Sequence, residues 1–120
     1  MPWDPRGAAS RAEQRSRSTS QGRCAEYVRL AVEAGGIVLS RHADAKDYGR
    51  SLEDAGFYRA NGEPQVGDVI VIQPAPGHAH GHMAIYSGSI WISDFKQLNG
   101  FYPGPAYRTA RPSYQIYRHN

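Results

Sequence analysis

The chain contains a single thiol, Cys24, and five histidines, three of them at alternate positions in Gly77-His78-Ala79-His80-Gly81-His82. A thiol becomes a useful nucleophile when an imidazole held within reach takes its proton and later returns it. Of the three clustered histidines, His82 leads directly into the apolar run Met83–Ser87, so a strand presents it, whereas His78 and His80 fall in a loop on the rim of any groove. On the partner strand across a hairpin, Trp91-Ile92-Ser93-Asp94-Phe95 carries a carboxylate that could orient the imidazole and fix its tautomer, the third role of a triad. Each residue also has a plainer reading. A lone cysteine in a helix is usually a small buried hydrophobe, and an aspartate at a strand end is often only a polar terminus. A strand would project His78, His80 and His82 to one face, which suits a metal. Against the metal, Pro74-Ala75-Pro76-Gly77 just upstream suggests a loop, and no His-Glu-x-x-His spacing accompanies the three. His42 and His119 have no context that lifts them above surface residues.

Holding a thiol and an imidazole together requires rigid elements. The stretch Gly22–Ala34 carries apolar residues at Tyr27, Val28, Leu30, Ala31, Val32 and Ala34, a broad stripe of helical period, and predicts a mostly buried helix. Ser20 is the expected N-cap, and Gly35-Gly36 supply the stop. Cys24 then sits in the first turn, where unpaired amides and the positive end of the helix dipole favour a thiolate. A second helix is expected over Ala45–Ala55, closed by Gly56. From there the period changes to that of strands, with Val66–Ile72, Met83–Ser87, Ile90–Phe95 and Tyr114–Tyr117 as four β-rich runs and Gly88-Ser89 as a hairpin connection. Helices first and strands later predict an α+β fold in which N-terminal helices pack on a small antiparallel β-sheet. The division expected is a polar N-terminal segment, 1–17, partly helical or flexible, followed by a single catalytic domain over 18–120. The aromatic, glycine-rich tail Phe101–Tyr107 is expected to wall the groove.

Size and charge limit what else the chain can be. A length of 120 residues fits one core. A formal net charge of +3 with a pI near 9.2 leans toward anionic partners. The arginines Arg11, Arg15, Arg17 and Arg23 are interleaved with Ser and Gln rather than with stacking aromatics, so nucleic acid is not expected as a partner. With one cysteine, no internal disulfide forms. No apolar stretch approaches the roughly 20 residues that span a bilayer, and the N-terminus lacks an apolar export signal. Membrane insertion is therefore not expected, nor is any cofactor. The expectation is synthesis in the cytoplasm, with a secretion machine carrying the chain to any substrate outside it.

Three elements, Ser20-Gln21-Gly22-Arg23-Cys24-Ala25-Glu26-Tyr27-Val28, Pro64-Gln65-Val66-Gly67-Asp68-Val69-Ile70-Val71 and Gly81-His82-Met83-Ala84-Ile85-Tyr86-Ser87-Gly88, occur in order. Together they resemble the NlpC/P60 and CHAP peptidoglycan amidases. The resemblance covers about residues 18–95 and implies a papain-like core. It also implies hydrolysis of an amide in the stem peptide or crosslink of peptidoglycan, through an acyl-enzyme on Cys24 with His82 as base. It makes Asp94 the third catalytic residue, with Gln97 the alternative, and an oxyanion hole built from the Cys24 amide with Ser20 or Gln21. His80 would lie at the substrate rim. Chains of this compact kind resemble amidase effectors that bacteria inject into a rival's periplasm and that a cognate immunity protein neutralises. A phage or autolytic wall hydrolase, a thiol acyltransferase, a non-catalytic module on the same fold and a metal-binding module at His78, His80 and His82 are the alternatives.

Overall fold

The computed structural model describes residues 2–120. Four helices, α1 (Pro5–Arg15), α2 (Cys24–Ala34), α3 (Tyr48–Asp54) and α4 (Pro105–Ala110), accompany six strands. The strands are β1 (Tyr58–Ala60), β2 (Val69–Ile72), β3 (His82–Tyr86), β4 (Trp91–Ile92), β5 (Lys96–Gln97) and β6 (Tyr114–Arg118). They form one sheet in the order β1-β6-β2-β3-β4-β5, antiparallel at every pairing. The α+β expectation of helices on a small antiparallel sheet describes this architecture.

Side-chain alternation in the strands makes two cores. Val69, Val71, Met83, Ile85 and Ile92 face Val28, Val32 and Leu52 of the helical layer. Ile70, Ile72, Ala84 and Trp91 face the other way, where Tyr107 of α4 covers them. Covered on both sides, β2 reads as the unbroken apolar run Val-Ile-Val-Ile, every residue buried. At about 25 cal/mol per Å² of apolar surface, two such layers are the main stabilising term of the fold.

Helix α2 buries Tyr27, Val28, Ala31 and Val32, the stripe expected from its spacing. It ends in paired reverse hydrogen bonds, Gly36 N to Glu33 O and Ile37 N to Val32 O. That closure places residue 36 at a φ of 106°, a left-handed conformation open mainly to glycine. The polar segment 1–17 is largely the helix α1, with Asp4 Oδ1 accepting from Gly7 N at 2.9 Å and Pro5 opening the first turn. Its small residues Ala8, Ala9 and Ala12 are buried. A stripe of alanines in a polar sequence gives a weak periodic signal, which is why this helix is less legible than α2. The helix expected over Ala45–Ala55 is split into a 3-10 turn, Ala45–Asp47, and α3.

The strand expected over Ile90–Phe95 differs most. Only Trp91 and Ile92 pair with β3; the chain then turns, Ser93 N donating to Phe95 O at 3.0 Å, and returns as β5. The turn forms because Asp94 is committed elsewhere. Its carbonyl accepts from Arg17 N at 2.8 Å and its carboxylate from the segment ahead of α2. At the other end of the sheet, the fully buried Asp68 takes two bonds from Arg118, at 2.9 and 2.8 Å, tying β6 to the entrance of β2. Among the described residues, no helix is long and apolar enough to cross a membrane.

Candidate active site

Cys24 is the first residue of α2, and its N-cap is Arg23, not Ser20. No side chain of the local sequence caps the helix. The acceptor comes instead from the turn after β4: Asp94 Oδ2 takes the amides of Gln21 at 2.7 Å and Arg23 at 2.9 Å, and Ser93 Oγ donates to Oδ1 at 3.3 Å. This carboxylate is fully buried. It fixes the path of residues 21–23 and leaves the Cys24 amide, which has no intrahelical acceptor at this position, unclaimed by the clamp.

His82 opens β3 opposite Ile72, on the sheet face shared with Ala84, Trp91 and Gln97 and covered by α4. Gly81 before it adopts a φ of 73°, and a Cβ there would lie 2.5 Å from Ile72 O and 2.9 Å from Lys46 Cβ. Gly81 is packed tight, with no room for a side chain, and this lets the 3-10 turn press on the base of β3. The His82 ring is buried, and its Nε2 lies 2.7 Å from Gln97 Oε1. The Gln97 amide nitrogen donates to Gly100 O at 3.2 Å and Phe101 O at 2.8 Å, so the oxygen of that side chain must be the atom facing the ring. An amide oxygen only accepts; His82 therefore carries its proton on Nε2 and keeps a lone pair on Nδ1. Asp94, expected to hold the imidazole, binds the α2 entrance, and Gln97 holds the ring.

Cys24 and His82 line one cavity of about 990 Å³, together with Ser20, His80 and Tyr107. Burial pushes the Cys24 thiol up to about 11, with the Asp94 charge adding to the rise; the amides of Met83, Ala25 and Cys24 itself pull the other way. Burial likewise lowers His82 to about 4, against the hydrogen bond with Gln97 and the charge of Asp94. The first-turn position does not make a standing thiolate, because loss of water outweighs the helix amides. Burial thus favours the uncharged form of both groups, thiol and neutral imidazole.

The remaining sequence candidates are spread around this centre. Gln21 turns its side chain back to Thr19 O at 2.9 Å. His80, exposed at the cavity rim, meets Asp44 Oδ1 at 2.5 Å, and the His78 ring lies 5.0 Å from that of Tyr107. His80 thus turns away to Asp44 while His78 and His82 both lie near Tyr107, and no three His, Cys, Asp or Glu side chains converge on a metal position among the described residues. His119 packs against Trp3 and Phe57. His42, expected only at the surface, lines the cavity with its ring 2.6 Å from Ser51 Oγ.

The tail expected to wall the groove supplies Pro103, Gly104 and Tyr107. The Tyr107 ring lies 6.0 Å from His82, and burial pushes its hydroxyl up to about 12. Sequence reasoning missed Arg29 and Arg41, which also line the cavity. Arg29 falls one turn beyond Ala25 on α2, a spacing that marks the same helix side once the cavity is known.

Comparison with known proteins gives a consistent family. The model of the CHAP domain matches residues 14–94. The chain is similar to one in the crystal structure of the type VI native effector-immunity complex Tae3-Tai3 from Ralstonia pickettii, at 64% identity over 98% of this chain and 100% of that one, with a TM-score of 0.97. The selenomethionine form of that complex matches at 66% identity over 93% of this chain and 99% of that one, with a TM-score of 0.92. The crystal structure of Ly7917 matches at 17% identity over 97% of this chain and 62% of that one, a likeness of fold alone at a TM-score of 0.58. No curated protein matches the chain.

Proposed function

The chain belongs to the CHAP domain family, and from that premise we propose that it is a peptidoglycan amidase, a type VI effector that cleaves a stem-peptide or crosslink amide through Cys24. The observation that carries the mechanism is the fixed tautomer of His82. With Nε2–H committed to Gln97 Oε1 at 2.7 Å, the lone pair on Nδ1 is the base available to the thiol that shares its cavity. The Cys24 proton passes to Nδ1 as sulfur adds to the amide carbonyl, so the nucleophile forms only in the act of attack. The Cys24 backbone N–H stabilises the resulting oxyanion, with the Ser20 hydroxyl, which lines the cavity, as second donor. The imidazolium then protonates the departing amine, leaving an acyl-enzyme. A water gives its proton to the same nitrogen, attacks the thioester and restores the thiol. Gln97 positions the ring, and Asp94 positions the helix entrance.

The effector role rests on the 64% identity with a chain of the Tae3-Tai3 complex. By the same likeness this chain acts in the periplasm after secretion and has a cognate immunity protein as partner. The test is mass spectrometry of the fragments released from purified Gram-negative peptidoglycan by the wild type and by Cys24→Ala, each with and without a chelator. Fragments bearing one added water per cut, from the wild type alone and in either condition, are expected. Release by Cys24→Ala would overturn the mechanism.

A further inference from the structure

The charges of the cavity are lopsided. Its lining includes three arginines, Arg23, Arg29 and Arg41, against one acidic residue, Glu26. Arg23 and Glu26 neutralise each other at 2.6 Å. Arg41 is exposed, as an ordinary surface arginine is. Arg29 differs from both: its side chain is only 11% exposed, and its ion pair is with Glu33 at 3.8 Å, outside hydrogen-bond distance. Glu33 is itself 48% exposed and does not line the cavity. The 3.8 Å separation leaves Arg29 without a close, bidentate carboxylate partner of the kind that usually saturates a guanidinium. Arg29 lines the cavity, so a carboxylate that enters there meets a cation free to pair with it.

We propose that Arg29 is a substrate-selecting residue that binds a free carboxylate on the peptide being cleaved, with Arg41 drawing the same group in from the cavity mouth. This rests on the proposed peptide-amidase function of the site and deepens it. At a rise of 1.5 Å per residue, Arg29 lies on the order of 7–8 Å beyond Cys24 along α2. An extended peptide spans about 3.3–3.6 Å per residue, so the recognised carboxylate belongs to a residue within about two positions of the scissile amide. The substrate class is then a wall peptide with an unmodified acidic group beside the cut. The same peptide with that group converted to carboxamide is a poor substrate, because it offers no charge to pair with the guanidinium.

The test uses two synthetic stem peptides that differ only in a carboxylate or a carboxamide at the residues flanking the scissile bond. Hydrolysis is followed with wild type, Arg29→Gln and Arg29→Lys, and binding of both peptides to Cys24→Ala and to Cys24→Ala/Arg29→Gln is measured by calorimetry. The wild type should favour the carboxylate peptide by about 10- to 100-fold in kcat/KM, the worth of one charge-assisted pair. Arg29→Gln should lose most of that preference through a larger fall on the carboxylate peptide than on the carboxamide peptide, and Arg29→Lys should retain part of it. An equal loss on both peptides, or an undiminished preference in Arg29→Gln, overturns the assignment. If the wild type cleaves neither peptide, the amidase reading fails; calorimetry still decides the role of Arg29, by whether Cys24→Ala prefers the carboxylate and the double variant does not.

Discussion

In the proposed reaction, the group that sets the state of the base is an uncharged one. Gln97 carries no charge to strengthen the base, yet by accepting from His82 Nε2 it selects which ring nitrogen keeps its lone pair. Replacing it with leucine removes that selection and leaves the buried Nε2–H without a partner. We expect Gln97→Leu to lower kcat by about 10- to 100-fold with little change in KM, as measured on a soluble stem-peptide substrate. Gln97→Glu places a carboxylate against the imidazole and holds its protonated form. The acid limb of the kcat/KM profile, set near pH 4 by the lowered His82, should therefore move to higher pH. A limb unmoved by Gln97→Glu would mean that His82 is not the titrating base. Cys24 and His82 were legible because each stands at the start of a strongly patterned element. Gln97 was legible only as an alternative, since β5 is two residues long and has no period of its own.

At the scale of elements, the entrance to α2 is held from outside its own sequence. A local reading places Ser20 at the N-cap, the kind of residue that usually serves there. The acceptor is instead Asp94, 73 positions away from Gln21. Pairing across that distance leaves no trace in local spacing, so the carboxylate was recognisable as important while its contact was not. Asp94→Ala would leave the Gln21 and Arg23 amides without their shared acceptor, at an expected cost of about 3 kcal/mol. In a domain of this size that lowers Tm by about 10 °C or more, which differential scanning calorimetry would register. Asp94→Asn, which keeps an oxygen in place, should recover part of the loss in Tm. Equal melting of wild type and Asp94→Ala would remove the clamp from the account of the site. The same locality explains the rest of the fold's legibility. The helix α2 and strands β2, β3 and β6 were readable from period, whereas the three-residue β1, the six-residue α4 and the alanine face of α1 depend on the sheet that covers them.

At the scale of the molecule, the buried imidazole couples the active centre to global stability. In the unfolded chain a histidine takes up a proton below about pH 6.5, while folded His82 resists until about 4. Between these values the unfolded state binds more protons, so stability falls as pH falls from about 6.5 to 4, by about 3 kcal/mol for this group. Urea unfolding at pH 7 and pH 4.5 should show that loss in the wild type and a smaller one in His82→Gln; equal losses would exclude His82 as its source. The Asp94 clamp has one more consequence, for timing. Because the clamp joins the turn after β4 to residues 21–23, the helix entrance that carries Cys24 is held in place only when these distant parts of the chain have met. In the proposed reaction, competence to cut therefore depends on a contact that no local stretch of the chain makes by itself.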